Sequence, residues 1–405
     1  MPNETWTIKR CLDWTRDYLR DKGDERPRLA AEWLLSGVTG LSRTEIYMSF
    51  DKPMSAKELA AMHSAVVRRA KGEPLQYIIG ETGFRTITVA CEPGVLIPRP
   101  ETELLVEEVL RYLDREVLGA GEPQRRERVE LPWNAEVEAA LEAEVEAALE
   151  AERAAAEAAR QEAPAERELT EQDLEVLSEE PGEPTAEEVG ADEGADVSDG
   201  DASQGVSPLE SRFDGVEVAN IEDVLSCQAS TVARVLEVGC GTGCISLSIA
   251  AERRDRVRCV AIDIEPRAVD LTIRNRDALG ISPQAVDVRL GNLVSPLDRE
   301  TEWGTFDVLV SNPPYIPTSV LTSLPHEVAD FEPDLALNGG EDGLDIFRRL
   351  VNAAPHMLRP GGLLACELYE GHLDQAAALC RAAQMTDVRI VNDLTNRPRI
   401  ILARV

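Results

Sequence analysis

Along the chain the spacing of apolar residues changes several times. Up to about residue 75, apolar residues recur three and four apart, the spacing of a helix face. Trp6, Leu12, Trp14 and Leu19 mark one helix, and Leu29, Trp33, Leu34 and Leu35 a second. Ser42-Arg43-Thr44-Glu45 carries a capping pattern ahead of Ile46 and Tyr47 and opens a third. Ser55–Lys71 makes a fourth, with Leu59, Met62 and Val66 on one side. Short amphipathic helices bury their stripes against one another, so 1–75 is expected to be a small helical bundle. Tyr77, Ile78 and Ile79, then Gly80 and Gly83, then Ile87 and Val89, predict a β-hairpin linker over 76–98.

Next comes Ile97-Pro98-Arg99-Pro100-Glu101-Thr102-Glu103. The two prolines hold Arg99 extended, and Pro100 with the acids after it suits the first turn of a helix running to about Val117. Residues 99–119 thus open a larger domain. Arg99 suits an ion pair and the wall of a pocket equally well. The stretch 120–230 interrupts that domain. EVEAALEA at 136–143 recurs at 144–151, with Val137, Leu141, Val145 and Leu149 on a narrow stripe of a long Ala/Glu helix. Residues 181–207 are rich in Gly, Pro, Asp, Glu and Ser without apolar period, which reads as disordered linker. The whole is expected to be an acidic, largely disordered insertion, entering at the amino end of a strand and therefore away from any site at the carboxyl ends.

From 231 to 405 short apolar runs alternate with helical patterns. The runs are Val232–Val238, Arg258–Ile264, Val286–Leu290, Asp307–Val310 and Leu363–Leu368. Cys244–Glu252, Pro266–Leu279 and Gly343–Leu358 read as helices. This predicts an α/β fold with a doubly wound parallel sheet. Val388–Val391 and Ile400–Val405 follow with no helix between them, an antiparallel terminal hairpin that brings the sheet to seven strands.

Charge sharpens this division. The net charge is −33, but 134–210 holds 25 acidic and 3 basic residues, a net of −22. The remainder, at −11, is mildly acidic and lacks the basic face of a nucleic-acid binder. The eight cysteines include no C-x-x-C pair and there are only four histidines, so no zinc site is expected. Met1–Trp14 lacks the apolar core of a secretion signal, and no run is long enough to span a bilayer. A reduced, cytoplasmic protein is the expectation.

The candidate chemistry gathers at strand ends. The first large-domain strand runs into Glu237-Val238-Gly239-Cys240-Gly241-Thr242-Gly243 before a helix. A dinucleotide loop would place Gly or Ala at Cys244, so that pattern fails. The G-x-G-x-G spacing resembles the S-adenosylmethionine loop of class I methyltransferases instead. Asp263, 20 residues past Gly243 at the next strand end, can accept two ribose hydroxyls. Asn292 and Leu293, after the third strand, are placed to meet the adenine. Phe306–Tyr315 is a buried strand stopped by Asn312-Pro313-Pro314-Tyr315. Two prolines cannot continue a ladder or enter a helix interior. They stiffen the backbone where the Asn312 amide oxygen and the Pro313 carbonyl can accept both hydrogens of a planar –NH2, with Tyr315 and Pro314 packed on its face.

With these motifs in place, the chain resembles the peptide chain release factor glutamine-N5 methyltransferases, also called HemK or PrmC proteins, over about 1–118 and 231–405. Gly72-Glu73-Pro74-Leu75-Gln76-Tyr77, Leu96-Ile97-Pro98-Arg99-Pro100-Glu101-Thr102-Glu103 and Phe331-Glu332-Pro333 with Ala336-Leu337 look like that family's signatures. The insertion departs from its pattern, as does Asn292, where the family more often has Asp. The resemblance implies S-adenosyl-L-methionine as cofactor, held by Glu237, Gly239, Cys240, Gly241, Thr242, Gly243, Asp263, Asn292, Leu293 and Asn312. It implies catalysis by Asn312, Pro313, Pro314 and Tyr315, no metal, and a release factor as protein substrate, methylated at its Gly-Gly-Gln glutamine. A monomer, without stable nucleic acid or membrane, completes the expectation.

Other readings stay open on residues alone. The Asn-Pro-Pro-Tyr tetrapeptide also serves adenine-N6, cytosine-N4 and guanine-N2 methyltransferases of nucleic acids, and a ribosomal-protein glutamine is a further candidate target. A non-enzymatic binding module would be expected to have a damaged cofactor loop, whereas Gly239, Gly241, Gly243 and Asp263 are all present.

Overall fold

A computed structural model describes residues 5–119 and 232–405. The insertion expected over 120–230, with its repeat and linker, lies outside the described residues. The N-terminal part holds helices α1 (Ile8–Asp21), α2 (Pro27–Thr39), α3 (Arg43–Met48) and α4 (Ala56–Ala70). Leu12, Leu19, Leu34, Leu35, Ile46, Met62 and Val66 share one buried cluster. Ser42 and Ser55 close capping boxes with Glu45 and Glu58, satisfying N–H groups that the first helical turn leaves free. Trp33 departs from expectation and is exposed. From its start at Pro27, α2 turns Ala30, Ala31, Leu34 and Leu35 inward as i, i+4 pairs, and Trp33 falls outside that stripe.

The linker also differs. Tyr77-Ile78-Ile79 belongs to a short helix, α5 (Leu75–Ile79), capped by Gly80 at φ 90. Only β1 (Glu81–Phe84) and β2 (Ile87–Ala90) form the hairpin. A run of consecutive apolar residues has no period of its own. Here it serves two cores: Leu75 and Ile78 pack on the bundle, and Tyr77 packs with Cys91 and Ile97.

Helix α6 (Thr102–Tyr112) continues as a wider π-helical turn through Val117. The sheet strands are β3 (Ala233–Val238), β4 (Val257–Asp263), β5 (Val286–Leu290), β6 (Phe306–Ser311), β7 (Leu358–Glu367), β8 (Thr386–Asn392) and β9 (Pro398–Arg404). Their order is β5-β4-β3-β6-β7-β9-β8, and every strand runs the same way except β9, which is antiparallel to both of its neighbours. Between the strands run α7 (Cys244–Arg253), α8 (Pro266–Ala278), α9 (His326–Ala329), α10 (Asp334–Leu337), α11 (Asp345–Met357) and α12 (Leu373–Ala382). The sequence reading omitted α12, whose inward face is made largely of small residues, Ala376, Ala377 and Cys380.

Both faces of the sheet are covered, so the central strands read as unbroken apolar runs. Val235, Val308 and Val310 join one core with α6 and α7. Their neighbours Leu236 and Leu309 join the other, with Phe347, Leu350 and Ala376. Burial of one such side chain contributes about 1.5–3 kcal/mol. From β3 the chain steps one way to β4 and β5, and from β6 the other way to β7. The β3/β6 pair is therefore the switch point, where open α/β sheets bind ligands at the carboxyl ends. The described chain stops and resumes at the opposite edge. The Leu118 carbonyl accepts from Arg256, and Ala233 pairs with Val257 at the amino end of β4.

Candidate active site

The loop after β3 is shaped by its glycines. Gly239, Gly241 and Gly243 have φ of 77, 57 and 80, in the left-handed region. At Gly243 a Cβ would also lie 2.6 Å from Thr272 Cγ2, so α8 packs directly against the loop backbone. Asn275, from the same helix, donates to the Thr242 carbonyl and accepts from the Ala90 N–H at 2.8 Å. This clamps β2 and the loop together. The Gly241 N–H donates to Asp263 Oδ2 at 2.8 Å, and the Glu265 N–H to Oδ1 at 2.9 Å. Asp263 is thus aimed by backbone donors, while burial pushes its carboxyl upward.

Glu237, the last residue but one of β3, is fully buried. Its Oε2 accepts the Ser246 N–H, in the first turn of α7, at 3.0 Å. Its Oε1 has no partner, and burial raises the carboxyl to about 8. Asn292 follows β5 and accepts from Arg349 at 3.0 Å, and Leu293 adopts a positive φ of 54.

Across the switch point, Asn312 leaves β6. Its Nδ2 donates to Thr102 Oγ1 at 3.1 Å, and that hydroxyl donates to Glu367 Oε2 at 2.6 Å. Thr102 opens α6 and Glu367 ends β7; both are buried. The segment after Tyr315 is braced from below. Ile316 donates to the Leu337 carbonyl at 2.9 Å, and Gly339 returns a bond to Ile316 at 2.8 Å. Nearby, Arg99 donates to both oxygens of the buried Glu332 at 2.6 and 2.7 Å.

One cavity of about 270 Å³ joins these elements. Glu237, Gly239, Cys240, Gly241, Thr242, Asp263, Asn292 and Leu293 line it on one side, and Asn312, Pro313 and Pro314 on the other. Gly243 stands behind the loop, and Tyr315 packs against the core below rather than on the cavity wall. Arg99 fills both roles the sequence left open, as ion-pair partner and as cavity wall. Glu332 and Thr102 stand in the sequence only as members of signature motifs, and nothing there marks Arg349, the Arg99–Glu332 pair or the Thr102–Glu367 pair. A usable signal was present for Glu367: one carboxylate closes the apolar run Leu363–Cys366 on the rim that carries the other candidates.

This donor set fits S-adenosylmethionine. The unpartnered Glu237 oxygen suits the hydrogens of an ammonium, and Asp263 retains lone pairs for hydroxyls. The chain matches the PrmC N-terminal domain over residues 10–80 and the Methyltransferase small domain over 223–324. A methyltransferase from Pyrococcus furiosus, known from its crystal structure, is 19% identical, covering 48% of this chain and 87% of that one at a TM-score of 0.32. Sheet order, glycine loop and strand-end acid together define a class I S-adenosylmethionine-dependent methyltransferase. A release factor glutamine methyltransferase of Geobacter sulfurreducens is 31% identical over 402 residues, 99% of this chain and 98% of that one. Another, from Chlorobaculum tepidum, is 28% identical over 98% of both. The chain belongs to the release factor glutamine methyltransferase family.

Proposed function

We propose that this chain methylates the side-chain nitrogen of the glutamine in the Gly-Gly-Gln motif of peptide chain release factors. S-Adenosylmethionine, when bound, supplies an electrophilic methyl group on its sulfonium. Glu237 and the loop Gly239–Gly243 would hold its amino-acid end, Asp263 its ribose, and Asn292 with Leu293 its adenine. The observation that carries the reading is the arrangement of Asn312. Its nitrogen is engaged by Thr102, which leaves its oxygen as the acceptor at the rim of the same cavity.

An amide nitrogen is a poor nucleophile because its lone pair is delocalised into the carbonyl. The Asn312 oxygen and the Pro313 carbonyl accept its two hydrogens and aim the nitrogen at the methyl group, with Pro314 on the cavity wall and Tyr315 bracing that turn from the core side. Orientation of this kind supplies up to about 7–11 kcal/mol in the best cases, and fixed acceptors add electrostatic stabilisation. The bundle over 1–75 recognises the factor, the hairpin linker joins it to the catalytic domain, and the chain works as a monomer in the cytoplasm, without stable nucleic acid or membrane. Among the described residues no helix is long and apolar enough to cross a bilayer.

The test is transfer of labelled methyl from S-adenosylmethionine to a purified release factor. Parallel reactions use the factor with its Gly-Gly-Gln glutamine changed to alanine, and total RNA or DNA. Label in the intact factor alone is the expected result. Label in nucleic acid, or equal label in the alanine variant, would move the function to another target.

A further inference from the structure

Asn312 can serve a substrate –NH2 only if its oxygen, not its nitrogen, faces the cavity. The two ends of an asparagine amide have nearly the same shape, so its partner decides which way it points. That partner is Thr102, whose hydroxyl both donates and accepts. The direction of the chain is set one step further back, at Glu367. An ionised carboxylate only accepts, so Thr102 must donate to it, at 2.6 Å. The remaining lone pair of Thr102 must then receive the Asn312 N–H, at 3.1 Å. Neither Thr102 nor Glu367 lies on a sequence segment near Asn312, and both are 2% exposed, so bulk water does not compete for these bonds.

We propose that Thr102 and Glu367 are positioning residues that lock the Asn312 amide with its oxygen toward the substrate. This rests on the reading of Asn312 as the acceptor for the glutamine –NH2. Reversing the chain of donors would point the Asn312 nitrogen into the cavity, where it would meet a substrate group that also brings donors. Protonation of Glu367 permits that reversal, because the acid can then donate to Thr102. Burial raises the Glu367 carboxyl to about 7, with the hydrogen bond from Thr102 opposing the rise, Glu101 adding to it, and Arg399 and Arg99 opposing it. Tyr315 and the Cys244 thiol also face it. The lock therefore tightens as pH rises through about 7 and weakens as pH falls through that value.

The experiment compares kcat, KM for the release factor and cofactor affinity across pH for Thr102→Val, Thr102→Ser, Glu367→Gln and Asn312→Ala. Thr102→Val keeps the shape and removes the hydroxyl. Its kcat is expected to fall about 10–100-fold, with cofactor affinity unchanged. Thr102→Ser, which keeps the hydroxyl, recovers most of the loss. Glu367→Gln brings an amide that can donate to Thr102, so kcat falls and the limb near pH 7 disappears from its profile. Wild-type kcat in Thr102→Val, equal losses in Thr102→Val and Thr102→Ser, or an unchanged pH limb in Glu367→Gln would overturn the proposal. If Thr102→Val does not fold, the pH profile of Glu367→Gln and the kcat of Thr102→Ser decide. Unchanged turnover in Asn312→Ala would instead remove the reading on which the lock rests. An inactive Asn312→Ala beside a fully active Thr102→Val removes the lock alone.

Discussion

The two walls of the cavity are built by different means. The wall formed by β3, α7 and β4 is made of backbone. Left-handed glycines set the loop, and main-chain N–H groups of Gly241, Ser246 and Glu265 aim the two carboxylates. Its contacts join consecutive elements of the chain. The wall around Asn312 is made of side chains brought from far apart: Thr102 from α6, Glu367 from β7, and Arg99 against Glu332. A wall of backbone is rigid and serves a fixed ligand. A wall of exchanged side-chain hydrogen bonds has a polarity, which suits a step where donor and acceptor must be told apart. Damage to the first wall should appear as lost stability or cofactor affinity, and damage to the second as lost turnover.

The largest expected effect on the first wall is at Gly243. Valine there would place a Cβ 2.6 Å from Thr272 Cγ2 at φ 80. Denaturant unfolding should show a loss of about 2–5 kcal/mol, and a wild-type midpoint would show that the loop is less fixed than described. Asp263→Ala comes next. It removes the acceptor of two backbone donors and should weaken cofactor binding about 10–100-fold, measured by calorimetry, while kcat at saturating cofactor changes little.

A smaller effect concerns pH. Burial raises the Glu237 carboxyl from 4.5 to about 8, so between these values the folded cofactor-free protein holds a proton that the unfolded chain has released. Its contribution to stability therefore falls as pH rises from about 4.5 to about 8. Cofactor affinity should rise over the same window, because the ionised oxygen is the one that meets an ammonium. Glu237→Gln should flatten both trends, and a melting series across pH with and without cofactor reads them. The smallest effect is expected from deleting about 130–210. The described chain leaves and re-enters at the amino ends of the strands, opposite the cavity, so the deletion variant should keep its turnover. A large loss in a folded deletion variant would assign the segment a role in docking.

The same contrast explains what could be read before the structure was known. The seven strands and their hairpin follow from runs of β-branched residues, and the backbone-built wall from a glycine spacing and one acid, all local signals. Tyr77-Ile78-Ile79 misled because an unbroken apolar run fits a strand or a helical turn equally well. Trp33 misled because residue type alone does not say where a stripe begins. Thr102 and Glu367 could not be paired from the sequence, since nothing local says that the start of α6 and the end of β7 meet behind Asn312. Tyr315 was expected on the cavity wall from its chemistry, but the turn after the two prolines carries its ring toward the core.

The separation of the two walls is tested most directly by Asn312→Ala, with turnover and cofactor affinity measured on one preparation. Turnover on the release factor should fall about 10²–10³-fold, the scale for removing one preorganised hydrogen-bonding group, while cofactor affinity is left largely intact. Wild-type turnover, or a loss explained by weakened cofactor binding, would contradict the account.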